Sequence, residues 1–169
     1  VSDEFGIYRG KVKEGPGKNE WFYGNLVEEL STGKKFILDI AHMNSETKLF
    51  DLGFEVHPKT VGMWSTKTDK NGKRIFQGDK LSLFETPIYG KQTEFGEVVV
   101  KFGEYDDSSI EYGSEGIGWY VEGYHGYIRE NGVIDKYPVG SDETHQDSLL
   151  RYLKWEITGT IHDTPGEGK

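Results

Sequence analysis

Between Lys67 and Phe84 the chain reads Lys-Thr-Asp-Lys-Asn-Gly-Lys-Arg-Ile-Phe-Gln-Gly-Asp-Lys-Leu-Ser-Leu-Phe, and no ordinary helix fits across it. Asp69-Lys-Asn-Gly72 is a turn signal, because glycine takes positive φ freely and Asx side chains bond their own backbone. Gly78-Asp79 is a second turn. Ile75-Phe76 leaves room between them for one short apolar step, and Lys80–Phe84 then alternates as a strand does. Two turns this close admit only short extended pieces. The remainder is punctuated in the same way, with 23 glycines and 14% aromatic residues, which is the composition of a chain built from strands and turns.

Strand signals recur along the chain. Phe5–Val12 leads through the turn cluster Glu14–Asn19 into Trp21–Val27, and Ser31-Thr-Gly33 turns the chain into Lys35–Ile40, a three-stranded meander. Residues 42–55 show no clear period. Glu55–Trp64 is a further short extended piece, with Pro58 marking an edge or a strand start. Glu94–Phe102 contains Val98-Val-Val100 and reads as a central strand. Glu104–Glu115 holds five acids and no base and reads as an exposed loop. Gly118–Tyr124 is the next strand, and Asn131-Gly132 between apolar pairs signals a hairpin. Ser141–Tyr152 is the one helix candidate, capped by Ser141 or Asp142 with Leu149, Leu150 and Leu153 to dock it. Lys154–Ile161 alternates as a closing strand, with Trp155, Ile157 and Ile161 on comparable phase. The expected fold is therefore mainly β. A short-stranded antiparallel meander over 1–62 precedes the turn pair and a barrel-like (SH3-like) half over 63–169, with one short helix near 142–152. The boundary is soft, within one compact unit.

At 169 residues the chain is long enough for one full core. No run approaches the length of a membrane span, and none has the form of a signal peptide. The absence of cysteine removes disulfides and thiolate metal sites and fits a bacterial cytoplasm. A start at Val-Ser-Asp-Glu suggests that an initiator or a longer N-terminal segment precedes it. The net charge of −9 is unevenly placed: residues 1–84 hold 13 basic and 12 acidic residues, residues 85–169 hold 7 and 17. That acidic half suits solubility or a basic partner, and has the wrong sign for wrapping nucleic acid.

The pattern Val61-Gly-Met-Trp-Ser-Thr-Lys-Thr-Asp-Lys-Asn-Gly-Lys-Arg-Ile-Phe-Gln-Gly-Asp79 resembles the signature of the YopX family of phage and prophage proteins. Tyr8-Arg-Gly-Lys11 with Trp21-Phe-Tyr-Gly24, and Glu156–Pro165, are similar to that family's entry and exit. The approach Trp64-Ser-Thr-Lys67 and the long 104–115 segment depart from the pattern. The resemblance implies a phage-associated, predominantly β protein that self-assembles, and it carries over no catalytic residue. Asp69, Asn71, Gly72, Gly78 and Asp79 match the signature, and their expected role is structural.

Little in the sequence points to reaction chemistry. A calcium loop counted from Lys67 has Asp69, Asn71 and Gly72 in place, but Lys67 and Gly78 occupy the positions of its first acid and its bidentate glutamate. Gly113, Gly116 and Gly118 are out of order for a dinucleotide fingerprint. His42, His57, His125, His145 and His162 are scattered without ligand spacing, and no serine lies in a nucleophile elbow. Asp106-Asp107 with Glu111 or Glu115 is an acid–base pair only if taken out of water. Trp119, Tyr120, Tyr124 and Tyr127 suit either an exposed stacking platform or a barrel core, and the core is the simpler reading. The basic group Lys67, Lys70, Lys73, Arg74 and Lys80 is a charged turn facing water.

These readings favour a non-enzymatic phage accessory protein, self-associating and binding a host or phage protein. No cofactor, metal site or membrane contact is expected, and nucleic acid is not the expected partner. The alternatives are an acidic mimic of nucleic acid that occupies a basic host protein through Glu104, Asp106, Asp107, Glu111 and Glu115, and a carboxylate- or metal-dependent hydrolase.

Overall fold

Among the described residues every regular element but one is extended, as short β-branched and aromatic runs between glycine turns require. The computed structural model describes residues 7–39, 53–85, 92–107, 114–129, 134–139, 147–148 and 154–163. For residues 92, 105–107, 114–116, 137–139 and 147–148 the backbone alone is described. The chain divides into two compact units, Val1–Trp64 and Ser65–Lys169.

The first unit is an antiparallel sheet of β1 (Tyr8–Lys11), β2 (Trp21–Glu29), β3 (Lys34–Leu38), β4 (Gly53–Val56) and the start of β5 (Gly62–Thr68), in the order β4-β3-β2-β1-β5. Gly15 and Gly17, at φ +90° and +77°, reverse the chain between β1 and β2, a conformation that costs other residues. The sheet curls. Val12 bridges Val56, and the Lys13 and His57 amides donate to Glu55 and Lys11 carbonyls, each at 2.9 Å. Val12, Ile37, Leu38 and Val56 are buried inside this curl. Arg9 is buried as well, its guanidinium 4.4 Å over the Trp21 ring, an arrangement that replaces hydration of the cation with the ring's negative face. Pro58 opens a 3-10 turn over Pro58–Thr60 rather than a strand, since its fixed φ and missing N–H suit a first helical position.

The second unit holds β6 (Arg74–Phe76), β7 (Asp79–Glu85), β8 (Gln92–Asp107), β9 (Ser114–Arg129), β10 (Ile134–Val139), β11 (Asp147–Ser148) and β12 (Glu156–Thr160). Its antiparallel sheet runs β10-β9-β8-β7-β12, with β11 also against β9. Alternation sends Leu81, Leu83, Val98, Val100 and Val121 to one face, where Ile75 and Trp155 complete a buried cluster. The indole of Trp155 lies flat enough on Gly96 that a Cβ there would collide with it.

The all-β class is as the sequence indicates, and three details differ. The second unit is an open sheet among the described residues, not a barrel, because β10 and β12 end the order without pairing to each other. Its two central strands are long, 16 residues each. Of the segment read as an exposed loop, 104–107 and 114–115 are instead the ends of these strands, with Asp106 paired to Glu115 and Asp107 to Ser114; 108–113 lie outside the described residues. Within the expected helix, Asp147 and Ser148 are instead extended and paired to Val121 and Tyr120; the rest of 142–152 lies outside the described residues. Sheet pairing here overrides a capped but short helical pattern.

Candidate protein-binding surfaces

The turn pair of residues 67–84 is an anchoring device. Asp69, buried, accepts three backbone amides: Asn71 and Lys73 on Oδ1, both at 2.9 Å, and Ile157 on Oδ2 at 3.0 Å. The Lys70 amide donates to the Trp155 carbonyl at 3.2 Å. One turn therefore closes itself and seals the outer edge of β12, an edge that would otherwise be open to foreign strands. Gly72 and Gly78 have φ of +79° and +85°, and Asn71 gives Asp69 its amide. Asp79 is fully buried and its Oδ2 accepts the Phe76 amide at 2.7 Å. These five residues lie together at backbone-bonding positions.

Four of the five acids take backbone positions at one end of the β8–β9 pair. Glu104 is exposed at the far part of β8, opposite Ile117; Asp106, Asp107 and Glu115 take register positions beyond it, and Glu111 lies outside the described residues. The aromatic group splits between two faces rather than filling a core. Trp119 packs beside the buried cluster, Tyr127 meets His125 edge-on at 4.9 Å, and Tyr120 and Tyr124 point to the opposite face; all four are half-buried. Period-2 alternation with aromatics on consecutive residues has no other outcome in an open sheet.

One polar cluster escaped the sequence because its members are remote along the chain. His125 Nε2 is 2.9 Å from Glu94 Oε1, and Lys154 Nζ is 3.1 and 3.2 Å from the two Glu94 oxygens. The ring of Trp155 stands 5.9 Å from that of His125. The carboxylate fixes the imidazole and shares its charge with the lysine. Among the described residues no three His, Cys, Asp or Glu side chains are grouped to hold a metal. In the first unit, Glu55 bonds Lys13 at 2.6 Å and Lys34 at 3.4 Å. The Lys13 hydrogen bond holds its carboxyl below the usual range against some desolvation, and the same bond raises the Lys13 ammonium.

The face of the second sheet turned away from the buried cluster is the broader candidate. Phe84 pairs with Phe95 and Phe95 with Gly126, and the Phe95 ring fills the space over that glycine, where a Cβ would come within 2.9 Å. Tyr124 stands 6.2 Å from Phe95, with Lys136 Nζ 3.7 Å over its ring. Ile134 pairs with Ile128 on the same face. Phe84 is 76% exposed and Ile134 62%, while Glu97, Lys101 and Glu122 lie beside them, the last two ion-paired. The signal was present: Leu83-Phe84 and Tyr120-Val121 place apolar residues on both phases, which a sheet with one solvated face does not need.

Comparison with protein-family models, curated proteins and solved structures returns no match for this chain. No helix among the described residues is long and apolar enough to cross a membrane.

Proposed function

We propose that this chain is a phage-type accessory protein that works by binding proteins, first of all a second copy of itself, through the outer face of the second sheet. The carrying observation is Phe84 at 76% and Ile134 at 62% exposure around Phe95 and Tyr124. Contiguous apolar surface of this kind is uncommon on a solitary chain. Both charge signs border the patch, and in a two-fold contact residue i of one copy meets residue j of the other and the reverse, so opposite charges on one surface can pair across the axis. The resemblance to YopX proteins supports the same reading. The test is the solution mass of the full chain in low and high salt. Association driven by apolar area persists in 1 M salt, about a 3 Å screening length, and Phe84→Ser with Ile134→Ser abolishes it; dissociation by salt alone would count against the outer face.

A second reading, occupation of a basic protein by the acidic half, is favoured by the placement of Glu104, Asp106, Asp107 and Glu115 at one end of the β8–β9 pair.

A further inference from the structure

We infer that the far end of β8 and β9 is a recognition arm that inserts an apolar ridge into a basic, apolar-floored surface of a partner protein. This rests on the reading of the chain as a protein-binding module and assigns a second contact, separate from the outer face. β7 accompanies β8 only as far as Lys80–Val99, with one more bond from the Gly78 amide to the Val100 carbonyl. On the other side β10 and β11 accompany β9 no further than Tyr120. Beyond those points, among the described residues, 102–107 and 114–119 pair only with each other. A free two-stranded ribbon is marginal by itself.

The ridge continues the core face outward. Val100 and Val121 are buried, Phe102 rests on Trp119 at 5.0 Å and is 41% exposed, and Ile117 is 75% exposed opposite Glu104. Apolar character thus persists as burial falls away. The opposite face of the same ribbon has no side chain where Gly103 pairs with Gly118, and the position of an added Cβ on Gly103 meets nothing within 4 Å. At that register step only the ridge face has side chains to offer, and Phe102, Trp119 and Ile117 supply them, so the ridge is the side proposed for contact. Charge then selects the partner. Glu104 flanks the ridge and Asp106, Asp107 and Glu115 follow it, with no basic residue between Phe102 and Trp119. Two such arms repel each other, and nucleic acid is repelled as well. A protein surface with lysines or arginines around an apolar floor complements both features.

The probe is a synthetic peptide of alternating lysine and leucine, compared with poly-lysine and with a glutamate–leucine peptide, titrated calorimetrically into the full chain. The lysine–leucine peptide is expected to saturate, poly-lysine to bind at least about tenfold more weakly and the glutamate peptide not at all. Ile117→Ser should weaken the first complex about tenfold, the equivalent of losing one buried aliphatic side chain, and Glu104→Lys should weaken it too. Both positions are exposed, and both variants should melt as the parent does. Equal binding of poly-lysine, or no loss with Ile117→Ser, would overturn the arm. Neither result touches self-association, which is read separately from the mass of the Phe84→Ser, Ile134→Ser variant.

Discussion

A single carboxylate carries much of the second unit's connectivity. Asp69 is the acceptor for three backbone amides on two different segments, so its removal leaves three donors to be resolved at once. Asp69→Ala should cost about 2–4 kcal/mol, read from urea unfolding. Asp69→Asn should recover little, because one of its two atoms becomes an NH2 facing an N–H donor. If Asp69→Asn unfolds like the parent, the double-sided acceptor role is wrong. Gly96 makes a different kind of demand. A methyl there would collide with the Trp155 indole and lie 2.6 Å from the Tyr124 carbonyl oxygen. Gly96→Ala should therefore destabilise by about 1–3 kcal/mol and alter tryptophan fluorescence; an unchanged melting curve would refute that packing.

Charge at the residue scale gives a pH dependence with two limbs. The Glu55 carboxyl is held down, chiefly by the Lys13 hydrogen bond. A depressed acid stabilises the fold above its unfolded value, 4.5, and that contribution disappears as pH falls through the lower folded value. The Lys13 ammonium is raised from 10.5, so its contribution is complete below that pH and is lost as pH rises through the folded value. The pair is partly hydrated and its effect is small. Melting of the Glu55→Gln variant should match the parent at acid and alkaline extremes and fall below it between them. A constant difference at all pH values would exclude this linkage.

At the scale of elements, the sequence shows strand phase wherever alternation is uninterrupted. Leu81 and Leu83 are buried and Lys80 and Ser82 are not, as period 2 requires. β12 breaks the rule. Trp155 and Ile157 turn inward, but the register shifts between Ile157 and Gly159, and this bulge brings Thr160 inward and leaves Ile161 52% exposed. One extra residue inverts the face of all that follow, and no residue type announces it. The two ends of the 104–115 segment, 104–107 and 114–115, are strand rather than loop for a related reason. Polar composition resembles a loop, yet continuous pairing to Val98–Phe102 and Trp119–Gly123 carries the ladder outward through the acids. Turn chemistry was legible at Gly72 and Gly78, since positive φ leaves glycine the natural choice. The His125–Glu94–Lys154 contact was not, because Glu94 and Lys154 are distant in sequence and only the tertiary fold brings the turn before β12 against β8.

For the whole molecule, one acidic chain forms two β units, each with buried apolar residues of its own, and the second has, among the described residues, an open sheet with apolar residues on both faces. The buried face accounts for stability. The outer face, with Phe84, Phe95, Tyr124 and Ile134, is the surface proposed for binding, and self-association through it is the central claim. Sedimentation equilibrium of the full chain over a concentration series tests it most directly. Self-association predicts a mass that is a multiple of 19.2 kDa at high concentration, returning to the single-chain value for the Phe84→Ser, Ile134→Ser variant. A wild-type mass of one chain at every concentration would contradict it.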